Sequence, residues 1–285
     1  MAGRVIPEAP GAPVVPRASG RVLPAWQAIL VVMEHYWMWY RRGWRATAVS
    51  SIVAPLLFLL AFGVGFGSLV DAGGRAAQSG IGGVSYLVYL APGLLAMSAV
   101  QTAAFEATYP VLSGFKWQQI YWGMLASPLT PGHIAVGHLC WIGARMLTSG
   151  AVYVLVIALL GGVSGFGIVL SLLCATLCGL AFAAVTMAFA AGVKNEGAAF
   201  SAYFRFVLIP MTLFAGTFFP VDRLPAWVRP LAWITPLWHG TELSRGVALG
   251  TLRLLPALGH LAFLLSMLAL GVVLVRRQFR LRLNT

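Results

Sequence analysis

This sequence predicts an all-α integral membrane protein. We expect six transmembrane helices, an amino-terminal interfacial amphipathic helix, a helix in the first cytoplasmic loop and two short re-entrant helices before the last span. Three observations predict it. Of 285 residues, 60% are hydrophobic and only 9% are charged, against about 25% charged in soluble domains. Six apolar runs have the roughly 20 residues that a helix needs to cross about 30 Å of hydrocarbon. Between Phe218 and Gly250 the chain holds four prolines and three tryptophans, too interrupted for a span and too apolar for a wet loop.

The elements follow in order. Residues 1–23 carry Pro7, Pro10, Pro13 and Pro16 with three arginines and lack the apolar core of a signal peptide, so we expect a disordered cytosolic tail. Residues 24–45 contain EHYWMWYRR. Tryptophans and tyrosines beside arginines suit a helix lying in the cytoplasmic interface, rings at headgroup depth and guanidinium groups near phosphate. The membrane domain, 46–285, should hold spans near 46–69, 85–109, 134–160, 168–192, 198–219 and 254–275. Pro55, Pro92 and Pro210 fall inside three of these, where each removes a backbone donor and should kink the helix.

Orientation follows from the basic residues at the span ends. Twelve Lys and Arg fall on the side of the termini against five on the other, which favours both termini in the cytoplasm. The net charge of +12 thus reflects topology and anionic headgroups, and no basic face with interleaved aromatics exists to bind nucleic acid. The loop 110–132 then faces the cytoplasm and the broken segment faces outward. There we expect two short helices, near 225–232 and 236–249, dipping into one membrane face as a gate. Irregular backbone at membrane depth survives only against protein or a water-filled cavity. Phe219, Pro220, Trp227, Trp233 and Trp238 are the candidate gate residues, the tryptophans serving as interfacial anchors or as platforms for sugar rings.

The sequence excludes several chemistries. No G-x-x-x-x-G-K-S/T loop is present to cradle phosphates. Gly63, Gly65 and Gly67 lie at the end of an apolar run without a preceding strand, so close helix packing explains them. No histidine pair has zinc-helix spacing, and the serines lack a base and acid to activate them. Cys140, Cys174 and Cys178 lie in apolar helices and read as packing residues. Catalytic and metal-binding residues are therefore expected to be absent.

Two features remain. Ionisable residues lie in or beside spans at Glu106, Arg145, Glu196 and Arg205. Arg145 is expected to pair with Glu106 or to line a translocation path, because an arginine within a span faces the protein interior or a cavity, while Glu106 and Arg205 lie near the cytoplasmic ends. The loop helix carries Phe115, Ile120, Tyr121, Met124 and Leu125 at a helical period. Exposed Phe115, Trp117 and Tyr121 would dock on a soluble partner, or would lie on lipid.

Three segments, YLAPGLLAMSAVQTAAFEATYPVL (89–112), GFKWQQIYWGMLASPLTPGHIAVGH (114–138) and LFAGTFFPVDRLPAWVRPLAWITPLWHGTELSRGVALG (213–250), resemble the membrane subunits of ABC-2 type exporters. Within that family the chain is most similar to the nodulation-factor (lipo-oligosaccharide) exporter permeases, and more distantly to daunorubicin-exporter permeases. The resemblance implies a bacterial plasma membrane protein that pairs as a homodimer or heterodimer of permeases. It implies two copies of a cytosolic ATP-binding cassette subunit, which carry the ATP and magnesium, so that this chain holds no cofactor. It also implies a coupling helix at 115–125, with Phe115, Lys116, Trp117, Ile120, Tyr121 and Leu125 meeting the ATPase. The expected cargo is a glycolipid or lipid-linked saccharide. Hydrophobic drug efflux is the alternative, and an ion-coupled secondary transporter fits less well because no acid sits clearly at midspan.

Overall fold

The computed structural model describes residues 23–68, 84–162, 165–194 and 198–284. The predicted tail and Glu196 lie outside the described residues, apart from Leu23. Every regular element described is helical. In chain order these are α1 (Ala25–Phe58), continued by a π-helical stretch Leu59–Phe66, then α2 (Tyr86–Glu106), α3 (Tyr109–Lys116), α4 (Ile120–Leu125), α5 (Pro131–Leu159) and α6 (Gly167–Gly192). There follow α7 (Ala198–Phe214, π-helical over Phe204–Leu208), α8 (Arg229–Ile234), α9 (Pro236–Ala248) and α10 (Leu254–Leu283).

Four of the described helices are long and apolar enough to cross a membrane: α2 with α3 (Tyr86–Lys116), α5, α6 and α10. The fifth predicted span, α7, is a shorter apolar helix. The first predicted span departs from expectation. No break separates it from the interfacial segment, and α1 runs unbroken through both, with no proline between Gly43 and Pro55 to interrupt it. The distortion comes later, in the π-helical stretch after Pro55, and a second π-helical stretch directly precedes Pro210. α10 overruns its predicted end through the sequence RRQFRLRL to Leu283.

α6 is the hub. It packs against α2, α5, α9 and α10, and its buried residues are mostly small, among them Ala175, Cys178, Gly179, Ala181, Ala183, Ala184 and Ala188. Small side chains let helix backbones approach, which is how helices associate where lipid offers no hydrophobic driving force. A Cβ on Gly271 of α10 would stand 2.6 Å from Ala184 Cβ and 3.0 Å from the Val185 amide. On the other side, a Cβ on Gly179 would stand 2.4 Å from Met146 Sδ.

Candidate functional site

The cytoplasmic loop of the sequence reading folds as a hairpin of two helices rather than one. Pro110 opens α3, since a proline at the first helical turn costs no hydrogen bond. The chain then breaks at Trp117–Gln119, where Gln119 adopts a left-handed backbone (φ 53°), and resumes as α4. Thr130 ends the hairpin by capping α5. Its hydroxyl accepts from the His133 amide at 3.2 Å and His133 Nδ1 accepts from the Thr130 amide at 3.5 Å.

The expectation that Phe115 and Tyr121 are exposed is corrected by their burial. Phe115 is 4% exposed and Tyr121 is fully enclosed. Both rings pack edge-on against Phe279 of α10, at 4.8 and 5.0 Å, and against each other at 4.6 Å. The Tyr121 hydroxyl hydrogen-bonds His138 Nδ1 of α5 at 2.8 Å, and burial holds that phenol well above its usual pKa. Arg282, near the end of α10, stacks over Phe115 at 4.3 Å and donates to the Ala191 and Val193 carbonyls at 2.8 and 3.0 Å. A cation on the last carbonyls of α6 suits the negative end of that helix. Ile120 and Leu125 are half-buried, while Lys116, Trp117, Gln118, Gln119 and Trp122 form the exposed tip. The hairpin is therefore wired inward to three long helices and presents only its tip.

Arg145 and Glu106 are brought together. Arg145 Nη1 donates to Glu106 Oε1, with both side chains largely buried. At 1.5 Å per residue α5 is about 43 Å long, longer than the roughly 30 Å hydrocarbon core. Arg145 lies at the midpoint of α5, about 21 Å from either end, and pairs with the carboxyl end of α2, so it falls well inside the span as expected. Arg205 is exposed on the π-helical stretch of α7, away from this pair.

The ion pair lies in the wall of a cleft of about 720 Å³ between α1, the α2–α3 junction, the hairpin and α5. Aromatic rings dominate its lining. Tyr36 stacks on His138 at 4.4 Å, Trp141 meets Tyr36 and Tyr40 at 6.1 and 5.7 Å, and Arg145 stands over Tyr40 at 5.1 Å. α1 reaches α5 closely here, since a Cβ on Gly137 would stand 2.6 Å from Val32 Cβ.

At the opposite end of the bundle the broken segment folds as α8 and α9 after a turn through Gly216 (φ 80°) and a 3₁₀ turn at Val221–Arg223. The first predicted helix, 225–232, is shifted: a turn occupies its start and α8 begins at Arg229, with Pro230 in its first turn. α9 begins where expected, Pro236 following the cap Thr235, whose hydroxyl accepts from the Trp238 amide at 3.4 Å. Trp227 is 83% exposed, Trp233 and Phe219 are partly exposed, Pro220 is half-buried, and Trp238 packs edge-on between His239 and His260, 4.8 Å from each.

One residue that the sequence reading counted only as a topology charge organises this end. Arg245 of α9 is 7% exposed. It donates to the Gly216 and Thr217 carbonyls at 3.0 and 3.2 Å, reaches the Tyr89 carbonyl at 3.4 Å, and lies 3.9 Å over the Tyr89 ring. Tyr86 adds a hydroxyl to the Phe218 carbonyl at 2.9 Å. Together they satisfy the carbonyls of an irregular turn that has no helix to do so. His239 and His260 form a second unforeseen contact, Nδ1 to Nδ1 at 2.8 Å, with His239 Nε2 on the Trp233 carbonyl at 3.0 Å. Cys178 is buried against Pro236, whose carbonyl accepts from its thiol at 3.2 Å, and the described residues hold no cluster of three metal-ligating side chains.

This arrangement of helices, an internally braced hairpin at one end and a clamped broken segment at the other, is that of a multi-pass membrane protein. The sequence pattern of the family described as ABC-2 type transporter matches residues 27–249, and the chain belongs to that family. It is 32% identical to nodulation protein J of Rhizobium leguminosarum bv. viciae over 219 residues, covering 75% of this chain and 81% of that protein. It is 30% identical to nodulation protein J of Rhizobium meliloti (strain 1021) over 231 residues, 80% of this chain and 84% of the relative. Nodulation protein J of Sinorhizobium fredii matches at 31% over 226 residues, 79% and 82% of the two chains.

Proposed function

We propose that this chain is the permease of an ATP-driven exporter, moving an amphiphile such as a glycolipid or lipid-linked saccharide out of the cytoplasm or the inner leaflet. Two copies of the permease, or one with a diverged sibling, pair in the bacterial plasma membrane with both termini in the cytoplasm. ATP and magnesium belong to two separate cytosolic subunits. Drug efflux is the second reading for the cargo.

The observation that carries this proposal is the hairpin. Its tip offers Lys116, Trp117, Gln118, Gln119 and Trp122 to a soluble partner, while Phe115 and Tyr121 are locked onto Phe279 and His138. A displacement of the tip then moves α5 and α10 with it rather than dissipating in a loose loop. ATP drives transport in this scheme by favouring one arrangement of the docked hairpins over another through differential binding. The resemblance to nodulation-factor exporter permeases and the scarcity of charges along the spans support an amphiphilic cargo.

The test is co-purification with the cognate ATP-binding subunit. Trp117→Ala with Trp122→Ala should lower the bound ATPase and the ATPase rate of the assembly by about tenfold, since exposed aromatic anchors dominate such docking, while the melting temperature stays within 2 °C of wild type by rough expectation for surface changes. Undiminished ATPase association in that variant, or ATP hydrolysis by the purified chain alone, would sink the proposal.

A further inference from the structure

The cleft beside the Arg145–Glu106 pair has a chemistry of its own. Its volume of about 720 Å³ falls inside the roughly 300–1,000 Å³ range of small-molecule sites. Its rings include Trp39 at 65% exposure and Trp117 at 52%, so indole surface is presented at the mouth as well as at the closed end. The polar groups include an ion pair, Arg42, two histidines, three tyrosines and the side chains of Ser113 and Gln118.

The charge balance discriminates between ligands. Arg145 is committed to Glu106, burial draws the His35 imidazole below its usual pKa, which favours its neutral form, and Arg42 stands at the rim as the one further cation among the described lining residues. Phosphate sites gather several uncompensated donors of one sign. This cleft instead pairs aromatic faces with a compensated carboxylate and guanidinium, which accept from and donate to hydroxyl groups. Sugars offer that combination, with axial C–H groups for the rings and hydroxyls for the polar pair. α1, which forms one wall, exposes Trp26, Leu30, Val31, Trp37 and Met38, the pattern of a helix seated in a membrane interface. An acyl chain can therefore stay in lipid while the head turns inward.

We propose that this cleft is a receiving site for the uncharged saccharide head of the exported amphiphile, engaged from the leaflet that borders α1. The assignment rests on the exporter reading and deepens it by naming the head group and the residues that hold it.

The full chain in phosphatidylcholine nanodiscs, without ATPase, is titrated with maltotetraose and with chitotetraose and followed by saturation-transfer NMR. At least one oligosaccharide should take up saturation. Trp39→Ala should weaken that binding about tenfold, as loss of one stacking face does. Trp26→Ala removes an equally exposed tryptophan of the same helix outside the cleft and should leave binding unchanged. Absence of saturation with both sugars, or equal losses in the two variants, overturns the proposal. Displacement of the sugar by millimolar inorganic phosphate, or by replacing the lipid with phosphatidylglycerol, would reassign the cleft to an anionic head. Neither ATPase docking nor transport enters the measurement, so its failure leaves the exporter reading standing, and loss of that reading is registered by co-purification instead.

Discussion

Replacing Gly114 with alanine plants a methyl group 2.5 Å from Tyr121 Cε2 and 2.7 Å from its Cζ. The ring has nowhere to retreat. Phe115 stands 4.6 Å away on one side and Phe279 5.0 Å on another, and the hydroxyl is tied to His138 at 2.8 Å. Overpacking of this kind costs about 1–3 kcal/mol, against a gain of at most about 1 kcal/mol for alanine over glycine inside a helix. With the full helix gain subtracted, the net is a loss of up to about 2 kcal/mol, a fall of as much as about 8 °C in melting temperature. Gly123 supplies the control four residues into α4, where an added Cβ meets nothing within 4 Å. Gly123→Ala should raise the melting temperature by about 1–4 °C through the unfolded chain. Thermal unfolding of the purified chain, read by fluorescence-detected gel filtration, compares the two. If Gly114→Ala melts at or above wild type, the hairpin is not braced as described and its role as a rigid lever fails with it.

Three further outcomes are expected. Arg245→Met should destabilise the chain by on the order of 3 kcal/mol, because the Gly216 and Thr217 carbonyls are left unpaired, and limited proteolysis should then cut first between Gly216 and Trp227. A double-mutant cycle of Glu106→Gln and Arg145→Met should give a coupling of roughly 1–3 kcal/mol in chemical denaturation, and a coupling near zero would mean the pair is not formed. Cys178 should resist maleimide in the folded chain and react after denaturation, as a buried thiol that donates to the Pro236 carbonyl; rapid labelling of a variant carrying only Cys178 would contradict that placement.

The long spans were legible because each is an uninterrupted apolar run bounded by recognisable signals. Ser85 caps α2, while Thr130 and Pro131 start α5. α1 was less legible. Its arginines mark a change of environment, from interface to hydrocarbon, and a change of environment does not require a break in the backbone. The hairpin showed its helical period but hid its orientation. Phe115 and Tyr121 read equally well as docking or packing residues until Phe279, at the far end of the chain, supplies the surface that covers them. Arg245 was hidden for a similar reason. Besides Glu242 one turn earlier and the Tyr89 ring, it holds the main-chain carbonyls of Gly216 and Thr217, which leave no mark in side-chain identity. The pairing of Glu106 with Arg145 was foreseeable, because a buried cation within a span needs a countercharge and few acids are at hand.

The bond between Arg282 and the end of α6 has a practical corollary. It holds Arg282 over Phe115 of the hairpin, so a peptide fused after Asn284 starts close to the hairpin proposed to dock the ATPase. Affinity tags and fluorescent reporters placed there would crowd the hairpin and, under the proposed docking, mimic a loss of coupling. Fusions ahead of α1 are the better choice for measuring assembly.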